Sequence, residues 1–490
     1  MGDTSNAATS ELRLIDQGGT NETGSPVTVP APFPKDAEGG AADSTEVALL
    51  DDDVPRGLEK RELTWWRLAL ITFVYTCSGP GGLEQVVLAG GPIIALAGVF
   101  FVPIFFVVPQ IFVVSEMGGM MPTSAGNVVW VQRAFGRFAG FYNAWVFALT
   151  NAVDLAVYPV LFGDYVGRAF IGTNVSWSET MVFRIVGLGI GMALALLSSK
   201  DISNVTGIGC VLTAGFFIVV FFAATPHLDP PAQFNYVEQP IDYGLLSSSL
   251  LWLFTGWVSL GALAGEVTDG MVLVKGMSSA LGIDVVMYLV ALLAAMTKAV
   301  RGEWTDGYFV TVYDRIIPGI GPVFGACIGF TSLTLFLAAI ICYTRTVWGM
   351  AEMGWAPKIL QRQLPTGAPV VAVAVHAVTT FGMIWFDFGF IVQVEYTVAA
   401  ASYILTAAAF LRLRYTEPEA HRPYVVPGGM PVAWLVTATK VIVMVATSVA
   451  GLSQDWRVGV AFVGTNIAVV LGYFAYDRAH PNTNSSEGVA

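Results

Sequence analysis

Apolar runs of about 20 residues recur along this chain, divided by short polar or proline-containing stretches. A run of that length crosses a hydrocarbon layer roughly 30 Å thick only as a helix, because every backbone amide there needs an internal partner. The weaker ten-residue alternation of a membrane barrel does not occur. Spans are predicted near 66–90, 93–115, 138–166, 182–198, 204–224, 244–264, 279–298, 321–348, 369–386, 390–411, 431–452 and 458–476. Breakers separate them at Thr225-Pro226, Asp229-Pro230-Pro231, Pro318 to Pro322, Pro365 to Pro369 and Pro423 to Pro431. The predicted fold is therefore an all-α membrane protein of about 12 transmembrane helices. Eleven or thirteen spans also fit, because the runs at 66–115 and 366–412 come close to merging.

Composition agrees with the pattern. The 490 residues are 55% hydrophobic and 12% charged, with a mean hydropathy of +0.65. A water-covered surface would need roughly 25% charged residues. The net charge of −12 is concentrated at one end: residues 1–60 hold twelve acids and four bases. That stretch is poor in large apolar side chains, so a disordered acidic cytoplasmic tail is predicted there. It lacks the basic-then-apolar order of a signal peptide. Residues 61–478 form the predicted transmembrane domain and 479–490 a short second tail. Cys77, Cys210, Cys327 and Cys342 fall inside spans and read as small packing residues.

With the amino terminus in the cytoplasm, fourteen Lys and Arg residues flank spans on the inside and six on the outside. That bias places both termini inside. Lys298, Arg301 and Arg315 oppose it.

Two spans carry helix breakers where a helix should run unbroken. Thr76-Cys77-Ser78-Gly79-Pro80-Gly81-Gly82 interrupts the first, and Thr255-Gly256-Trp257-Val258-Ser259-Leu260-Gly261-Ala262 weakens the sixth. Proline removes an amide donor and glycine removes the side-chain bias towards helix. Freed backbone groups at bilayer depth are tolerated where they line a protein cavity, and paired interruptions mark a transporter site. For the sixth span, glycines serving only close helix packing are the alternative. Glu84, Asp154 and Glu395 are intramembrane acids that need a partner, a proton or water. Asp154 and Glu84 are candidate ammonium and proton sites; structural roles pinning broken backbone compete with that reading, and Glu395 reads equally as a solvated mouth residue. Glu116, Asp164, Glu266 and Asp284 read as interfacial, and His376 as a packing residue.

The segments SGPGGLE (78–84), SAGNVVWVQRAFG (124–136), DLAVYPVLFGDY (154–165), LAGEV (263–267), GEWTDGY (302–308), AEMGWAPKIL (351–360) and RPYVVP (422–427) occur in this order. In these the chain resembles the amino acid–polyamine–organocation superfamily, and within it the polyamine:cation symporters of plants and protists. The resemblance implies two inverted five-helix repeats, about 64–224 and 243–412, with broken helices 1 and 6 and peripheral helices at 431–476. It implies a central substrate site built from Ser78, Gly79, Gly81, Gly82 and Glu84, from Asp154 and Tyr158, from Trp257 and Ser259, and from Tyr403. Two positions depart from the polyamine pattern: Val258 follows the sixth-span Trp where an acid is usual, and Gln85 follows Glu84 where Asp is common. The fifth span also lacks a Lys or Arg that could stand in for sodium.

The function expected is proton-coupled secondary active uptake of polyamines or related cationic amines at the plasma membrane. An amino acid permease of the same fold is the alternative, and a non-transporting sensor or a channel a remoter one. No cofactor is expected beyond the coupling ion, H+. The chain shows no phosphate-binding loop, metal-ligand cluster or nucleophile–base motif that would make it an enzyme, and no basic stretch for nucleic acid.

Overall fold

A computed structural model describes residues 64–77, 79, 81–123, 125–197, 199–229, 236–265, 267 and 270–480. The acidic stretch 1–60, residues 481–490, Ser78, Pro80 and Glu266 lie outside the described residues, with the expectations attached to them.

Among the described residues nine helices are long and apolar enough to cross a membrane, and Tyr243–Leu253 and Val370–Met383 are shorter apolar helices. Together with the first apolar run, which forms two half-helices, they follow the predicted order of spans. Span 1 comprises Trp65–Thr76 and Leu83–Gly90. Span 2 is Pro92–Met120, with a π turn at Pro103–Val107 where Pro103, and Pro109 just beyond it, withhold donors from the ladder. Span 3 is Arg137–Asp154 followed by Val157–Ile171. Its hinge has a local cause: the Pro159 ring excludes the carbonyl of Leu155 from normal helical geometry, so the helix opens just after Asp154.

Spans 4 and 5 are Trp177–Leu194 and Ser199–Ala224. Span 6 is the helix Tyr243–Leu253, an irregular stretch, and a 3-10 turn over Ser259–Gly265. Span 7 is Gly270–Met296 and span 8 is Gly321–Glu352. Spans 9 and 10 are Val370–Met383 and Phe388–Thr416. Spans 11 and 12 are Gly429–Gln454 and Trp456–Ala479. A short helix, Tyr308–Ile316, follows span 7.

Span 3 packs along span 8, the first half of span 1 along span 7, and span 10 along span 11. The outward helix faces carry large apolar residues, Val211, Phe222 and Ile442 among them, which in water would be a liability and in lipid are solvated.

Of the acids expected at the interface, Glu116 and Asp284 are buried instead, and the side chain of Asp164 is largely covered. Glu116 is wholly enclosed: Arg414 binds both its oxygens, Arg422 lies 3.3 Å from Oε1, and the Val426 amide donates to Oε2 at 2.8 Å. The segment RPYVVP thus folds over a buried ion cluster. Asp164 pairs with Arg184 at 3.0 Å, and Arg184 also donates to the carbonyls of Ile384 and Phe386 at 2.9 and 2.8 Å. Asp284 is fully buried beside the break in span 1. Chain position put these acids near helix ends; neighbouring helices that sequence does not reveal cover them.

Candidate functional site

Both predicted breaks occur. The first half of span 1 stops at Thr76 and the second begins at Leu83. Gly82 turns the chain with φ +93, and a Cβ there would meet the Phe388 ring at 2.8 Å and Trp252 at 3.2 Å. In span 6, Gly256 has φ +89 and a Cβ would meet Tyr75 at 2.7 Å. Only glycine combines that dihedral with that closeness, so the two breaks pack against the spans around them.

Backbone groups released by the breaks find side-chain partners. The Tyr288 hydroxyl donates to the carbonyl of Leu253 at 2.8 Å, and that of Tyr396 to Leu251 at 2.9 Å. At the start of the second half of span 1, the Gly82 amide donates to Oε2 of Glu84 at 3.2 Å. The other oxygen of Glu84 accepts from Tyr165 of span 3. Glu84 therefore caps the broken helix and pins it to span 3. Next to it Gln85 donates to Asp306 at 2.6 Å, tying the half-helix to the segment GEWTDGY.

Asp154 sits at the hinge of span 3 and is 2% exposed. Oδ1 accepts from the Trp252 indole at 3.0 Å, and Oδ2 from Tyr158 at 3.0 Å and from Tyr343 of span 8. Three donors thus converge on one carboxylate. Glu395 of span 10 faces it, with Oε2 lacking any hydrogen-bond partner. Among the described residues no Lys or Arg pairs with either acid. Aromatic rings enclose the pair: Tyr158 lies 6.4 Å from Trp252, Trp252 meets Phe388 edge-on at 5.0 Å, and Tyr396 stacks on Tyr403 at 6.5 Å.

The residues singled out from sequence divide accordingly. Gly82, Asp154 and Tyr158 come together through Trp252. Gly81 packs on Leu161 and Tyr165, while Gly79 faces Thr213 and Phe217 of span 5 and Ile328 of span 8. Ser259 is half-buried opposite the Tyr75 hydroxyl. Trp257 is buried with its indole nitrogen lacking a partner, so the Trp that bonds Asp154 is Trp252, at the end of the first half-helix of span 6. Tyr403 makes no direct bond to Asp154; the side-chain nitrogen of Lys440 lies 4.6 Å from its ring centre and 3.8 Å from that of Phe106. Glu84 touches Tyr165, which stands eleven residues beyond Asp154 along span 3, roughly 16 Å of helix. The two acids nominated together occupy different places.

Sequence reasoning passed over Trp252, Tyr343 and Lys440. Trp252 and Tyr343 carry no charge or breaker to mark them in apolar spans. Lys440 does carry a mark, a lone cation at the middle of span 11.

A bundle of apolar helices, two of them broken beside a buried acid, is the architecture of a polytopic membrane carrier. A profile described as amino acid permease matches residues 63–473, and the chain belongs to this family of the amino acid–polyamine–organocation superfamily. It is 31% identical to Polyamine transporter PUT1 of Oryza sativa subsp. japonica over 90% of this chain and 84% of that one. Polyamine transporter RMV1 of Arabidopsis thaliana is 29% identical over 76% of each chain. Asc-type amino acid transporter 1 of Homo sapiens is 23% identical over 66% of this chain and 65% of its own. The protein is an integral membrane transporter, not an enzyme.

Proposed function

We propose that the protein is a proton-coupled secondary transporter of polyamines or related cationic amines, working by alternating access at the plasma membrane. The observation that carries this reading is the facing pair Asp154 and Glu395, closed off from water and, among the described residues, unpaired with any Lys or Arg. Two carboxylates so placed cannot both ionise alone; a substrate ammonium relieves the repulsion, and the surrounding rings offer it cation–π contact. Glu395 also supplies a second acid in a chain whose sixth span has Val258 where polyamine carriers have an acid. The polyamine transporters among the relatives support the same substrate class.

An amino acid would bring a carboxylate as well, and broken-helix amides are its natural receptor. Here the Gly82 amide is already held by Glu84, which favours an amine over the permease alternative. Uptake of labelled putrescine and spermidine into proteoliposomes, with and without an inward proton gradient, tests the proposal. Competition by amines and loss of uptake in Asp154→Asn are expected. Uptake displaced by amino acids but indifferent to amines would reject it.

A further inference from the structure

We propose that Asp284 of span 7 carries the coupling proton, so that the proton and the substrate occupy separate acids. The inference rests on the proton-coupled reading above and adds a residue that the substrate site does not use.

The argument is a count of hydrogens. The Thr76 hydroxyl lies 2.9 Å from the carbonyl of Thr72 and 2.8 Å from Oδ2 of Asp284. It has one hydrogen and two acceptors. A threonine in a helix commonly returns its hydrogen to the carbonyl four residues back. If Thr76 does so, the short contact to Asp284 is a hydrogen bond only when Oδ2 is itself protonated and donates. In the opposite arrangement an ionised Asp284, wholly buried, would have one hydroxyl and the Cys77 thiol to solvate it, with Oδ1 left without a partner.

The surroundings favour the proton. Span 1 contributes Thr76 and Cys77, both neutral donors, while Tyr75 is turned towards Ser259 and Asp154. On span 7 itself, Tyr288 spends its hydrogen on Leu253. Glu116 of span 2 is neutralised by Arg414, and Tyr313 of the short helix after span 7 donates to Ala291 at 2.9 Å. Among the described residues no charged group bears on Asp284. Glu116 and Asp164 have guanidinium partners and Asp154 has three donors; Asp284 has neither.

Its place gives the proton a task. Thr76 is the last residue of the first half-helix of span 1, so a swing of that half-helix away from span 7 separates it from Asp284. A neutral Asp284 is at ease in the closed arrangement, whereas losing the proton requires water to enter between spans 1 and 7. The proton loads from one side, crosses with the closed state, and leaves when the half-helix moves.

The test uses the purified full chain in proteoliposomes. In Asp284→Asn, which keeps a neutral group of the same shape, accumulation of putrescine driven by a pH gradient is expected to fall about ten-fold or more, while putrescine counterflow persists. Gradient-driven accumulation equal to wild type would overturn the proposal. Should Asp284→Asn not fold, Thr76→Val decides: removal of the acceptor moves the alkaline limb of uptake to lower pH if Asp284 donates, and movement to higher pH would refute it. Infrared difference spectra give a substrate-free readout, a protonated-carboxyl C=O band that Asp284→Asn removes; an unchanged spectrum contradicts the assignment. Wild-type protein inert towards putrescine would sink the amine reading and leave the infrared result to judge Asp284.

Discussion

The Trp252 indole donates to Oδ1 of Asp154 at 3.0 Å, joining the end of the first half of span 6 to the hinge of span 3. The same ring lies against Gly82 and Phe388, so one side chain meets the acid, the span 1 break and span 10.

Replacing Trp252 with Phe keeps a ring and removes the donor. A hydrogen bond to a buried charge is worth about 1.5–3 kcal/mol, so the apparent KM for putrescine should rise on the order of ten- to a hundred-fold at unchanged expression. An unaltered KM would detach Trp252 from the substrate site.

Glu395→Gln removes one carboxyl of the facing pair and keeps its shape. Uptake of a triamine should suffer more than that of a monoamine, because a second ammonium loses its counter-charge. Competition curves for spermidine and a simple monoamine measure the difference; equal losses would argue that Glu395 does not meet substrate.

Gly82→Ala places a Cβ 2.8 Å from the Phe388 ring at a dihedral hostile to side chains. The strain should cost about 1–3 kcal/mol, seen as a lower Tm, with uptake lost. Wild-type Tm and uptake together would contradict the tight packing of this break.

Glu116→Gln leaves Arg414 and Arg422 buried beside a neutral amide. Breaking a buried ion cluster costs about 3–5 kcal/mol, so Tm should drop steeply while the folded fraction keeps its KM. A changed KM with an unchanged Tm would give the cluster a functional role instead.

Asp306, in the connection after span 7, has its carboxyl pushed up to about 7, by loss of water first and by Asp164 second, against the pull of Gln85 and Arg184. The closed loop therefore holds a proton that an opened, hydrated loop would release from about 4 upwards. Its stability is full at low pH and is lost as pH rises through 7. Amide exchange in residues 300–307, corrected for intrinsic rate, should be faster at about pH 8 than at about pH 6, and the difference should vanish in Asp306→Asn. Equal protection at both values in wild type would remove Asp306 from this lock.

Much of this was written in local chemistry. Runs of apolar residues fix spanning helices because backbone groups in lipid have no other partner, and Pro159, Gly82 and Gly256 fix where those helices open because ring and φ constraints act within a few residues. Asp154 announced itself for the same reason: a lone acid in an apolar run is costly wherever it ends up.

Which groups meet was decided elsewhere. Trp252 rather than Trp257 reaches Asp154, Glu84 serves the break instead of joining Asp154, and Glu116 and Asp284 are buried although they lie near or beyond predicted span limits. A hydrogen bond between residues 98 or 208 positions apart depends on how helices rotate and tilt against one another. Those angles come from packing summed over every span, and no window of sequence contains them.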